Sequence, residues 1–597
     1  MPTTIEVNKQ SVETLLGSGR VKPFVIPEYQ RPYAWSDEQV ETLFEDLWEF
    51  TASSGGTENN GSYFLGSIVS YENDDGEQEI IDGQQRITSL FLLLRAIYTR
   101  LTDTLESERT AEAKNFISKI EPTIWRTNKL TGVVDYTDIL LTSRVMNNDG
   151  NQILKAILET GETSESAKDN YSKNYRLFQR LLDKHSLENP LMVYQFIYAL
   201  LNQAILLPIT ADTQDTALTI FSTLNDRGLP LSEADIFKAK IYNQLDLDNK
   251  KIFIERWKNL DEQATYNKES IQQLFYYYMF YLRALEKDIK TTTPGIRKYY
   301  AKEKFKRLFE VDLMDNLCII LNLWKVINKG QELDGEAWSN NNKIKQSLDT
   351  LSSYPNEFWK YPVVIYYICH RNKEDFEVKF TVFLNKLLLE LFTKYLISPT
   401  VNAVKTDILK LNAEIVKSDK PIFSFKEIDM AILENHIQNP HRNLVRMLLK
   451  ILAYQEQDTL LPNNWEIEHI FPQKWQDNYF TDVSEITIKE KIEYIGNKVP
   501  FEKKLNIIAG NGYFGKKKKE YLLSNISITK KLGTLEIDEW NLDSIMTRNI
   551  RILDSVKNIL SQWNDTYNNI SIDSTKETQP TDFDLEKIEE YKRKGWI

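Results

Sequence analysis

Residues 79–101, EIIDGQQRITSLFLLLRAIYTRL, restrict the fold more than any other stretch. A short branched segment runs into Gly83, and Leu90, Phe91, Leu92, Leu93, Leu94 and Ile97 then make a helix that is apolar nearly all round. Such a helix has no face to turn to water, so it belongs inside a core with other elements packed around it. Gly83 permits the tight turn between strand and helix. Asp82, Gln84, Gln85 and Arg86 stand where the first amides of the helix lack partners, at its positive end. Free amides beside a guanidinium that can grip two oxygens make a phosphate site. The sequence has no GxxxxGK[ST] motif here, which excludes an ordinary P-loop.

The stretches before and after this turn complete the pattern. VKPFVIPEYQRPYAW, 21–35, is extended and punctuated by Pro23, Pro27 and Pro32, which hold Gln30 and Arg31 rigidly before a helix. Ser36 can cap that helix with Gln39 at the third position, and Val40, Leu43, Phe44 and Leu47 recur at helical spacing. Taken alone, Arg31 fits either a polar cap on an aromatic cluster or an anion ligand. SYFLGSIVSY, 62–71, reads as a strand leading into the acidic loop ENDDGEQ, and the loop over 72–79 is expected to cover the phosphate site. FSTLNDRGLPLSEADIFKAK, 221–240, reads as a helix stopped by Gly228 and a second one capped by Ser232, so Asn225, Asp226 and Arg227 project from the corner.

IPEYQRPYAW, YFLGSIV, IIDGQQRITSL and the 221–240 segment, in that order, resemble the DUF262 family. Its fold is similar to that of ParB and sulfiredoxin, and its members bind or hydrolyse nucleoside triphosphates. The resemblance implies a nucleotide pocket lined by Gln30, Arg31, Asp82, Gln84, Gln85, Arg86, Asn225 and Arg227, with Asp82 holding a cation or positioning water. Ser222 stands where many relatives carry Glu.

The second reactive stretch is WEIEHIFPQKW, 465–475, a short aromatic and branched strand that ends at Phe471 and Pro472. On a strand Glu468 and His469 point to opposite faces, so one site can use both only if the strand end twists or another segment reaches round. IGNKVPFEKKLNIIAGNGYFGKKKKEY, 495–521, is the candidate for that reach, with Asn497, Asn506 and Asn511, and with glycines 510, 512 and 515 breaking its helical character. An imidazole can deprotonate water, and an amide oxygen with one carboxylate leaves a hard divalent cation open positions for water and phosphate. Lys503, Lys504, Lys516, Lys517, Lys518 and Lys519 are the candidate DNA contacts, within a segment, 491–530, that carries nine lysines against three glutamates.

Glu468-His469-Ile470-Phe471-Pro472-Gln473, then Gly496-Asn497 and Asn506, resemble the His-Me finger (HNH, ββα-metal) nucleases in their DUF1524 branch. The resemblance implies His469 as general base, Glu468 and Asn506 as ligands of Mg²⁺ or Mn²⁺ with Asn511 as a rival ligand, and Asn497 as the residue that orients the histidine.

Composition limits what the rest can be. The chain of 597 residues is 42% hydrophobic with a net charge of −12, which suits several folded domains and argues against bulk attraction to DNA. Cys318 and Cys369 have no paired spacing, so neither a thiolate zinc site nor a disulfide framework is implied. The amino terminus lacks a basic-then-apolar signal and no apolar run reaches membrane length, so a cytoplasmic protein without membrane contact is expected. Residues 102–210 and 246–455 read as mainly helical, and aromatic stripes such as QQLFYYYMFYLRAL at 272–285 read as helix packing. The expected fold is α+β and predominantly helical: a ParB-like nucleotide-binding domain over 1–245, a helical connector over 246–455, a ββα-metal domain over 456–560, and a polar linker with a closing helix over 561–597.

The two resemblances in one chain are similar to the fused GmrSD-type, modification-dependent (type IV) restriction proteins. They imply an endonuclease that uses or answers to nucleoside triphosphate and cuts modified phage-type DNA. The expected partners are double-stranded DNA carrying modified cytosine, a nucleoside triphosphate and a second copy of the chain. A second reading is a nucleotide-switched DNA-binding module whose nuclease has decayed.

Overall fold

Alternation along two strands explains how the amino-terminal part is built. Ile68 and Ile80 face one core and Val69 and Ile81 face another, so the sheet that carries them is buried on both sides. The computed structural model describes residues 6–54, 61–128, 130–145, 150–224, 233–426, 430–476 and 483–570. They form two units, Met1–Asn259 with Glu303–Glu310, and Leu260–Lys302 with Val311–Ile597.

The first unit holds a seven-stranded mixed sheet. Its order is Glu6–Val7, Ala204–Ala211, Tyr63–Glu72, Gln78–Asp82, Phe24–Ile26 and Leu141–Ser143, with Gln10–Ser11 also on Ala204–Ala211. Tyr63–Glu72 runs antiparallel to Gln78–Asp82 and parallel to Ala204–Ala211, and Phe24–Ile26 is parallel to both its neighbours. Helix Gln84–Thr102 is buried from Ile87 through Tyr98 and lies among helices Ala111–Ile124, Gly150–Thr160 and Asn170–Glu188. On the other face Ala217, Leu218 and Phe221 of helix Gln214–Leu224 and Ala239 of helix Glu233–Gln244 pack against Val69, Ile81 and Ile209.

Several expectations are met and others need correction. The strand, turn and helix over 79–101 are present, and of the expected capping pair the Gln39 half is made, the Ser36 amide donating to Gln39 Oε1 at 3.0 Å before helix Asp37–Ser54. The region 102–210 is less helical than its pattern suggests. It adds a small hairpin, Trp125–Thr127 with Val134–Ile139, and two strands of the main sheet, Leu141–Ser143 and Ala204–Ala211. The acidic loop does not cover the turn at Gly83. It closes the hairpin beyond the Glu72–Gln78 pair while Asp82 stands opposite Val69, and Arg144 grips the Glu77 carboxylate through two bonds of 2.7 Å.

Among the described residues the second unit is helical apart from one antiparallel pair, Trp465–His469 with Lys498–Glu502, in which Glu468 lies opposite Val499 and His469 opposite Lys498. Helices Lys503–Ala509 and Phe514–Leu522 follow; the break falls at Gly510, and Gly515 lies inside the second helix. Phe471, Val499, Phe501, Phe514, Tyr521 and Ile545 share one core. Helix Leu542–Asn569, 28 residues long, runs past the expected start of the polar linker and packs on helix Phe376–Ile397, where Lys386 Nζ donates to Asn564 Oδ1 at 2.8 Å. The closing charged helix expected near Trp596 lies outside the described residues. Among the described residues no helix is long and apolar enough to cross a membrane.

Candidate functional site

At the amino-terminal turn, Gly83 has φ +84°, a left-handed conformation that costs glycine little and other residues more. It starts helix Gln84–Thr102 without a side-chain cap, leaving the first amides unclaimed by a capping side chain. The Arg86 guanidinium lies against Gly66, where a Cβ would stand 2.9 Å from its carbon, and NH1 donates to Ser67 O at 2.9 Å. Burial pushes the Arg86 pKa down, and the Asp82 carboxylate opposes that shift. Burial raises the Asp82 pKa against the Gly83 amide, Arg86 and Arg31, which all favour its ionised form. Asp82 and Arg86 are thus a half-buried pair of opposite charge at a helix start, with exposed Arg31 near enough to act on Asp82.

The three glutamines do something more local. Gln30 Nε2 donates to Ile81 O at 3.0 Å and Gln84 Nε2 to Arg31 O at 3.2 Å. Gln85 accepts from the Ala34 amide at 2.7 Å and donates to Pro32 O at 3.1 Å. These contacts fasten the proline-rich segment to the strand-helix corner and set where Arg31 stands. Asn225 and Arg227 lie outside the described residues, as do Gly228 and Ser232.

The same strand carries a group that its sequence did not single out. Glu79 is buried, accepts from Tyr29 Oη, and lies 3.5 Å from Gln214 Nε2, which donates to Tyr29 Oη at 2.7 Å. That network ties helix Gln214–Leu224 to the strand ending at Asp82.

In the second unit the pleat separates the two candidate residues as the strand period requires. His469 faces a polar rim where its Nε2 lies 3.4 Å from Glu493 Oε1 and 3.4 Å from Gln473 Nε2. Glu493 also receives Lys498 Nζ at 2.7 Å, and the hydrogen bond to His469, followed by Lys498, holds its carboxyl well below the usual range. Nothing in YIGN marked Glu493, three residues before Gly496, as a partner of the histidine.

Glu468 points inward. Its Oε1 accepts from Lys517 Nζ at 2.6 Å and from Tyr521 Oη at 2.9 Å, and all three side chains are buried. Lys517 Nζ also donates to His469 O at 2.6 Å. Burial pushes the Lys517 pKa down while Glu468 pulls it back, and burial with Glu468 raises Tyr521 well above its ordinary range. Lys517 is therefore not a surface lysine available to DNA, because the helix turns it into the core to neutralise a carboxylate. Lys518 is part-buried, donating to Ile537 O at 3.0 Å, while Lys503, Lys504, Lys516 and Lys519 are exposed.

Three asparagines were expected here, and each has a definite place. Asn497 is fully buried; its Oδ1 accepts from the Phe471 amide at 2.7 Å and its Nδ2 donates to Phe471 O at 3.1 Å and Ile492 O at 3.0 Å. It fixes the chain two residues beyond His469, so it is a positioning residue that acts through backbone. Asn511 Nδ2 donates to Lys474 O at 2.7 Å, which turns the rival metal ligand into a clamp on the same loop. Asn506 lies in the short helix with its Nδ2 3.4 Å from Glu466 Oε2.

The Asn497 turn is itself held from behind. A Cβ on Gly496 would stand 2.2 Å from Ile545 O, so only glycine lets helix Leu542–Asn569 come this close. Arg548 NH1 donates to the carbonyls of Ile495, Gly496 and Lys498, and burial pushes its pKa down to about 10.

Hard-oxygen donors suited to a divalent ion remain at this site: both contacts to Glu468 fall on Oε1, which leaves Oε2, and Asn506 and Glu466 lie side by side. No group of three His, Cys, Asp or Glu comes together as a metal site among the described residues.

Comparison with family models matches residues 12–242 to the GmrSD restriction endonuclease, N-terminal domain, and residues 423–555 to the GmrSD restriction endonucleases, C-terminal domain. Comparison with curated proteins found no match.

Proposed function

Because the chain belongs to the GmrSD restriction endonucleases and carries both their N-terminal and C-terminal domains, we propose that it is a metal-dependent DNA endonuclease controlled by nucleoside triphosphate. Its target is modified phage-type DNA, which makes it a defence enzyme. The observation that carries this reading is His469, placed at a strand end beside Glu493 and backed by the buried Asn497 clamp. The C-terminal unit is read as a His-Me finger and the N-terminal sheet as ParB-like.

His469 takes a proton from the attacking water, and Glu493 stabilises the imidazolium that forms. Glu468 through Oε2, and Asn506, would hold Mg²⁺ or Mn²⁺. When bound, such an ion would supply positive charge to stabilise the phosphate being cleaved. Asn497, Asn511 and Lys517 keep the chain at His469 and just beyond it in place. Exposed Lys503, Lys504, Lys516 and Lys519 meet DNA phosphates. Glu493→Gln is expected to lower kcat by about tenfold to a hundredfold with KM for DNA little changed, as for other groups that support a reacting side chain. Cleavage kinetics at saturating DNA check this, and an unchanged kcat removes Glu493 from the mechanism.

Nucleotide binds at Asp82, Gly83 and Arg86 with Arg31, and Asn225 and Arg227 complete the pocket. The free amides of the helix start and the Arg86 fork meet the phosphates, and Asp82 holds the accompanying cation or positions water. Arg86→Ala is expected to weaken nucleotide binding by roughly tenfold to a hundredfold, since one charge-assisted hydrogen bond is worth about 1.5–3 kcal/mol. Titration with labelled nucleotide decides the matter, and equal affinity in the two proteins rules the pocket out. The same variant tests control: cutting of unmodified, hydroxymethylated and glucosylated DNA, with and without nucleotide, should change with nucleotide in the wild type and not in Arg86→Ala. A wild-type rate and preference indifferent to nucleotide would leave two independent sites.

A further inference from the structure

Helix Lys503–Ala509 carries Asn506 and also bears an apolar pair that the mechanism does not use. Ile507 and Ile508 are 69% and 53% exposed. Single exposed isoleucines are ordinary on protein surfaces, but two in succession on a seven-residue helix make its exposed residues half apolar and half basic. One turn earlier stand Lys503 and Lys504, also exposed, so each isoleucine follows a lysine at i,i+4. Lys516 and Lys519 lie exposed on the next helix, and residues 503–519 contain no acidic side chain. The nearest carboxylate recorded for the group is that of Glu466, 3.6 Å from Lys503 Nζ.

We propose that Ile507 and Ile508 form a wedge that enters a groove of duplex DNA and separates stacked base pairs while the flanking lysines hold the phosphates. The proposal rests on the nuclease reading above, which makes DNA the substrate of this face. Apolar side chains of this size unstack base steps when basic groups beside them anchor the backbone. A second copy of the chain suits the face poorly, because a two-fold contact would bring four exposed lysines against the same four. Unstacking next to Asn506 would bend the strand close to the residues proposed to hold the metal.

Both isoleucines are exposed, so Ile507→Ser with Ile508→Ser removes no core packing. The full chain, in EDTA, is titrated into unmodified and glucosylated duplexes carrying 2-aminopurine, whose fluorescence rises when stacking is lost. Wild type is expected to bind at least one duplex and raise the signal. The double serine variant is expected to bind roughly tenfold more weakly, lose the rise and keep the salt dependence. Lys503→Gln with Lys504→Gln should keep the rise and flatten the slope of log affinity against log salt by about 2. A serine variant with wild-type affinity and signal overturns the proposal, as does a wild type that binds neither duplex or binds without the rise. A serine variant that converts a dimer to a monomer in sedimentation with unchanged DNA affinity assigns the pair to self-association instead. Cutting is scored separately with Mg²⁺ or Mn²⁺: a chain that binds and unstacks but never cuts keeps the wedge and refutes the nuclease.

Discussion

His469→Ala removes cutting, with a loss of about 10² to 10⁴ in rate from the missing base alone, and leaves DNA affinity within a factor of about two. The ring is part-buried, 17% exposed, on the polar rim beside Glu493 and Gln473, so alanine forfeits only that local packing. The strand end that carries it stays fixed by other groups. Lys517 Nζ still holds the carbonyl of residue 469, and Asn497 still clamps Phe471 by two hydrogen bonds. Cleavage is followed on the modified and unmodified duplexes together with an anisotropy titration in EDTA. Full-rate cutting by the variant would sink the assignment of His469. No cutting by wild type in any metal, with binding retained, would favour the nucleotide-switched DNA-binding module.

Lys517→Met is expected to destabilise the second unit by about 3–5 kcal/mol, because it leaves the Glu468 carboxylate buried without a counter-charge. The Lys517 and Glu468 side chains are 2% and 7% exposed, so solvent cannot take over the lost partner's part. Adding Glu468→Gln should recover most of that loss, since the amide still accepts from Tyr521 and carries no charge to strand. Denaturant unfolding of the two variants measures the difference, and a single variant as stable as the double one would show that the pair is not what holds the helix to the strand. Both variants are expected to cut more slowly: each loses the hydrogen bond from Lys517 to His469 O, and the double variant also loses the carboxylate proposed to hold the metal.

Lys517 owes its role to a partner far away in the chain. In a run of four lysines every member looks like a solvated charge. Yet Phe514, Lys517 and Tyr521 stand at i, i+3 and i+7, and all three are buried in helix Phe514–Leu522. The helical period was available; what was missing was a reason to put a lysine in the stripe, and that reason is Glu468 on a strand almost fifty residues earlier. Ala204–Ala211 failed for a different cause. AILLPITA is apolar but for Thr210, which fits a strand buried on both faces as well as a buried helix, and Pro208 speaks for neither until it is found in register with Ile68.

Local order was legible wherever it depends on residues close in the chain. The strand, Gly83 turn and apolar helix over 79–101, the Ser36–Gln39 cap, and the opposite facing of Glu468 and His469 follow from backbone sterics, capping geometry and the two-residue period. The roles of Glu493, Lys517, Asn511 and Arg548 were not legible, because each is set by a partner held at a few ångströms by folding and not by neighbourhood in the chain. Gln30, Gln84 and Gln85 show the same limit, since an amide that could face a ligand and one that ties down a loop have identical sequence. A side chain's chemistry is written in its own atoms, but which of its polar atoms are already satisfied depends on what the rest of the chain brings within hydrogen-bonding distance.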